Sequence, residues 1–129
     1  MKKKTIITIL IFVLLLLCLL LLIYTYKNYS IPFNRDTWVK TTSIDEHSVR
    51  KYMARYLINN KFLIGKSMDE INQLLGQTSI KQDDNNKVYY KISEKYGHDI
   101  DPVEIEVIIV YFNQEEKAIK TELSTINLN

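Results

Sequence analysis

Cysteine is almost missing from this chain: Cys18 is the only one in 129 residues. No intramolecular disulfide is available, so any fold must hold by its core alone. Glycine is scarce too, with three in all, which excludes the glycine-rich loops that cradle phosphate groups. The two histidines, His47 and His98, stand in different segments. His98 shares the stretch GHDID with Asp99 and Asp101, but no further ligand is spaced for a zinc site. Asp83-Asp84-Asn85-Asn86 lacks the spaced pattern and distant glutamate of a calcium loop. Both stretches read as solvated turn or loop. No nucleophile motif is present either. The expectation is a protein that is not an enzyme, with no catalytic residue, metal, cofactor or small-molecule substrate, a metal-binding or hydrolytic domain being the alternative.

An excess of one charge is also lacking. The formal net charge is +2, from 17 basic and 15 acidic residues. Three of the basic residues (Lys2, Lys3, Lys4) precede the apolar run and all 15 acidic residues follow it, which leaves 14 basic against 15 acidic beyond the run, a net of −1. Nucleic-acid binding has no electrostatic support.

What the chain does have is a long apolar run. From Ile6 to Tyr24 it is interrupted only by Thr8. About 20 such residues span a hydrocarbon core as a helix. Lysines before the run predict an N-terminus held in the cytoplasm, with the remainder outside. Tyr24, Tyr26, Lys27 and Tyr29 suit the interface at the exit. A cleaved signal would have a shorter apolar core and a small-residue cleavage site. Cys18 lacks the setting of a lipidated cysteine, being preceded by Leu17 and followed by more apolar residues. The expectation is an uncleaved anchor in the cytoplasmic membrane over 1–26, with residues 5–24 in lipid, a tether over 27–42, and a folded outer domain over 43–129. Asn28-Tyr29-Ser30 fits the glycosylation sequon and reads as a chance match beside the membrane. Ile31, Phe33 and Trp38 are tether residues expected to dock on the domain, Trp38 above all.

In the outer part, Ser43 and Glu46 have capping-box spacing and open a predicted helix to about Asn59. Val49, Tyr52, Met53, Tyr56 and Leu57 form its apolar stripe. The stretch FLIGKSMDEINQLLG, residues 62–76, is the centre around which the outer domain is organised. Gly65 permits a tight turn, and Ser67 with Glu70 makes a capping box. Met68, Ile71, Leu74 and Leu75 give one apolar face, and Gly76 falls where a left-handed cap ends a helix. Residues 77–87 are a polar loop.

Three strand-like runs come next. Val88, Tyr90 and Ile92 alternate with polar residues or Tyr89, 103–112 is rich in β-branched residues, and Ile119, Thr121 and Leu123 alternate with Lys120, Glu122 and Ser124. This predicts an antiparallel meander. The middle run carries Val103, Ile105, Val107, Ile109 and Tyr111 on one face, and Glu104, Glu106, Ile108, Val110 and Phe112 on the other. Helices can cover only one face. The other must be covered by the tether, a second subunit or a partner. Ile108, Val110 and Phe112, with Tyr89, are the expected partner-binding residues, the sheet edges being the other candidate surface.

A Trp, an amphipathic helix, LIGKSMDEINQLLG, a tyrosine-bearing strand and a β-branched strand together resemble the SmpA/OmlA (BamE-like) family of small bacterial envelope proteins. Leu63, Gly65, Ser67, Glu70, Ile71, Leu74, Leu75 and Gly76 carry the likeness, which covers roughly 38–112. The resemblance implies a two-helix, three-stranded antiparallel α+β domain, also seen in beta-lactamase inhibitory proteins, and a role in envelope protein assembly with an envelope protein as partner. The shared fold alone also leaves open an inhibitor or accessory of a secreted enzyme. This chain departs from the family in having Gln77-Thr78-Ser79 where a proline is usual, and an apolar anchor where family members carry a lipid on a cysteine.

Overall fold

The computed structural model describes residues 2–41, 49–77, 80 and 86–128. Helix α1 runs Lys3–Lys27 with no buried residue. Its 25 residues extend about 37 Å at 1.5 Å per residue, more than the roughly 30 Å of a hydrocarbon core. Its mean hydropathy reaches 3.6, so it is long and apolar enough to cross a membrane.

Beyond it lie three helices and three strands: α2 Arg35–Lys40, α3 Val49–Asn59, α4 Met68–Leu75, β1 Lys87–Tyr96, β2 Pro102–Phe112 and β3 Ala118–Asn127. The expectation of two helices is therefore corrected: α2 lies within the stretch read as a tether. Asn34 starts it, its side chain accepting from the amide of Thr37 at 2.9 Å, with Asp36 in the first turn and Lys40 in the last, where the helix dipole favours each. At six residues α2 is too short to stand alone. It forms because Trp38 is buried to 1% and its indole N–H donates to Leu75 O at 3.0 Å.

The stripe on α3 packs as its spacing predicts, with Met53 and Leu57 fully buried and Val49 partly so, while Ala54 joins them. The Ser43–Glu46 box lies outside the described residues. Ser67 caps α4 with both halves of the box formed: its Oγ accepts from the Glu70 amide at 3.2 Å, and Glu70 accepts from the Ser67 amide at 2.7 Å. Those bonds, the Ser67 amide first, hold the Glu70 carboxyl below its usual range. Gly76 ends α4 at φ 87° and ψ 171°. The positive φ is as expected, but the extended ψ places it in a region essentially reserved for glycine rather than in the left-handed cap.

The sheet is an antiparallel meander in the order β1-β2-β3. Register is set by Tyr90 opposite Ile108 and Ile108 opposite Leu123. A bulge in β1 between Lys91 and Ser93 brings Ile92 and Ser93 both indoors. The helices cover the face of Tyr90, Ile92, Ile108, Val110 and Phe112, all in one core with Trp38, Met53, Leu57, Leu63 and Ile71. Each such side chain taken fully from water contributes about 1.5–3 kcal/mol. Ile31 and Phe33 pack against this core beside Trp38, so the three tether residues expected to dock do so.

Candidate functional site

The expected partner patch does not exist as one surface. Ile108, Val110 and Phe112 are 0%, 0% and 5% exposed beneath the helices, and Tyr89 belongs to the opposite face with Val107 and Ile109. The middle strand alone does not say which face the helices choose. Glu104 and Glu106 make the even-numbered face look the more open one. In the structure Glu106 is reached by the helical layer itself: Lys51 Nζ on α3 lies 2.8 Å away, and Ser93 donates at 2.7 Å. Burial pushes the Glu106 carboxyl up, but the Lys51 and Ser93 bonds and the nearby charges of Lys51 and Arg55 outweigh it, so it sits below its usual range.

The second face needs no separate covering element. Val107 is fully buried and Tyr89 and Ile109 nearly so, with Ile80, Ile105, Tyr111 and Ile126 packed beside them. Long side chains on the outer strands fold across this row. Lys91 bonds Glu94 on β1. Across the sheet, Tyr111 donates to Glu122 at 2.5 Å. Lys87 and Lys120 stand 5.4 and 4.7 Å from its ring, and Lys120 pairs with Glu122 at 3.0 Å. The bond to Glu122 raises the Tyr111 hydroxyl and lowers the Glu122 carboxyl.

With the faces closed over β1 and β2, what stays open is β3 and its outer edge. The turn after α3 pairs with its first residue: the Gly65 amide donates to Ala118 O at 2.8 Å and the Ala118 amide to Lys66 O at 2.9 Å, beside a bridge between Ser67 and Lys117. Past Ala118, among the described residues, no strand pairs with β3 on the side away from β2. Ile119 and Leu123, the large apolar members of the β3 alternation, are 57% and 41% exposed, because α3 packs on β3 without covering it. Phe62 and Ile64, on the turn that clasps Ala118, are 40% and 39% exposed. The other edge is partly occupied by the bridge between Ile80 and Tyr89. The sequence carries one signal of this: β3 alternates Ile119, Thr121 and Leu123 with charges, as an edge strand does.

A second feature is a cleft of about 600 Å³ between the end of α1 and the domain, lined by Ile23, Tyr26 and Lys27, by Lys51, Tyr52 and Arg55 of α3, and by the strand ends around Glu94, Lys95, Glu104 and Glu106. Three contacts fasten the segment just after α1 to α3. The Ile31 amide donates to Tyr52 O at 3.3 Å, the rings of Tyr29 and Tyr52 meet edge-on at 5.1 Å, and Arg55 reaches Tyr29 O at 3.4 Å.

His98, Asp99 and Asp101 sit on an exposed turn between β1 and β2. No group of metal-ligating side chains is assembled among the described residues. His47 and Asp83, Asp84 and Asn85 lie outside them. Comparison with family models, with curated proteins and with solved structures finds nothing that matches the chain.

Proposed function

We propose that this is a single-pass membrane protein that presents a small α+β recognition module on the outer side of the cytoplasmic membrane, where the module binds an envelope protein by strand addition to β3. The observation that carries this reading is the open edge past Ala118, with Ile119 and Leu123 exposed on it. An added strand would satisfy the unpaired backbone groups, and the two apolar side chains would supply the side-chain contacts. α1 supports the anchor, and the lysines before it support the orientation. The resemblance to the SmpA/OmlA family supports a part in envelope protein assembly.

The test is photo-crosslinking in living cells from a probe at Leu123, with a probe at Asp36 on exposed α2 as control. A discrete adduct from Leu123, lost when Ile119 is replaced by Lys, is the expected result. Equal adducts from both positions, or none from Leu123, would count against edge recognition.

A further inference from the structure

The cleft beside α1 is independent of the β3 edge. Its position follows from the anchor. Ile23 belongs to the apolar run, Tyr26 and Lys27 to the exit, and all three line it. With α1 spanning the bilayer, a reading on which this inference rests, the cleft opens at the depth of the outer headgroups. Its apolar wall then leads down into the acyl chains.

Its charges are uneven once the pairs are removed. Lys51 holds Glu106 at 2.8 Å, Lys91 holds Glu94, and Lys95 lies 3.6 Å from Glu104. Each lining carboxylate thus has a lysine of its own. Among the described residues, Lys27 and Arg55 have no carboxylate within ion-pair distance. Arg55 reaches Tyr29 O and the Tyr52 ring, 5.8 Å from its guanidinium, and Glu106 feels its charge from further off. With Lys91, which stands outside the lining, counted against Glu94, two positive charges are left over, next to aromatic and aliphatic surface. A guanidinium fork binds phosphate in two-point geometry, and a lysine adds a point charge. The roughly 600 Å³ available suits a headgroup with its glycerol rather than a bare ion.

We propose that the cleft holds the phosphodiester of a membrane glycerophospholipid, with Arg55 and Lys27 on the phosphate and Ile23 and Tyr26 along the upper acyl chain. The bound lipid fills the space between anchor and domain and fixes the module's tilt on the membrane.

The experiment uses the full chain purified from membranes in mild detergent and read by native mass spectrometry. One retained phospholipid per chain is expected. The Lys27→Gln, Arg55→Gln double variant should lose it at least tenfold, Lys120→Gln should keep it, and all three should melt alike once stripped of lipid. Readdition of a diacyl phospholipid should restore the adduct, whereas diacylglycerol, which lacks the phosphate, should not. Equal lipid on the double variant would overturn the proposal. So would full displacement by millimolar inorganic phosphate, which would make the site one for a free anion. Alkaline carbonate extraction separates the two readings: protein released from the membrane defeats the anchor itself, while protein retained without lipid defeats only the cleft.

Discussion

The indole nitrogen of Trp38 donates to the backbone carbonyl of Leu75, 3.0 Å away and fully buried. One bond thus joins the six-residue α2 to the last turn of α4, where a helix leaves its carbonyls without partners. Arg50 caps the arrangement from α3, its guanidinium 5.1 Å from the indole ring and its Nε donating to Trp38 O at 2.7 Å. Three helices meet at this side chain. Trp38→Ala should cost about 3–5 kcal/mol from cavity formation and leave Leu75 O buried without a donor. That is most of the stability of a domain this small, so the cooperative melt should vanish. Trp38→Phe should retain it at a lower midpoint.

Gly76 has space for a side chain, since nothing lies within 4 Å of where a Cβ would stand. Its backbone does not allow one, at φ 87° and ψ 171°. Gly76→Ala is therefore expected to destabilise by about 1–3 kcal/mol through strain alone. Ser67→Ala, which removes the cap at the other end of α4, should cost about 1 kcal/mol. Thermal denaturation of both variants checks the order.

Glu106 sets an acid dependence. Its carboxyl lies below the usual range when folded, so the folded state binds fewer protons there than the unfolded chain. The stabilisation is present above the unfolded value of about 4.3 and is lost as pH falls through the folded value. Glu106→Gln should melt lower than the parent at pH 7, and the difference should shrink as the pH is lowered through the carboxylate range.

Tyr90 sets the opposite limb. Burial pushes its hydroxyl up to about 12, and the group donates to Asn72 Oδ1 at 2.7 Å. The folded state therefore keeps a proton that the unfolded chain releases near about pH 10. Stability is intact below that and falls as pH rises towards about 12. Tyr90→Phe should lose about 1 kcal/mol at neutral pH with its hydrogen bond and show a shallower alkaline decline.

The elements legible in the sequence are those whose signals are local. The apolar run of α1, the Ser67–Glu70 box and the alternation in all three strands each report on one segment and the solvent around it. The rest depends on choices between segments. Which face of β2 the helices take is set by Lys51 reaching Glu106 and by the core around Trp38, so spacing alone puts Ile108, Val110 and Phe112 on the wrong face. α2 escapes a reading of periodicity because its stability comes from a bond to Leu75, 37 residues away. The second sheet face looks in need of a cover because the reach of Lys91, Glu94, Lys120 and Glu122 over their neighbours is not a property of spacing.

The proposal of an anchored, outward-facing domain is tested most directly by reaching the domain's far end from outside. Ile100, at the tip of the β1–β2 turn, is 94% exposed. In a Cys18→Ser background, Ile100→Cys should react with a membrane-impermeant maleimide on intact spheroplasts as fully as it does after lysis. Labelling that appears only once the membrane is opened would place the domain in the cytoplasm and contradict the account.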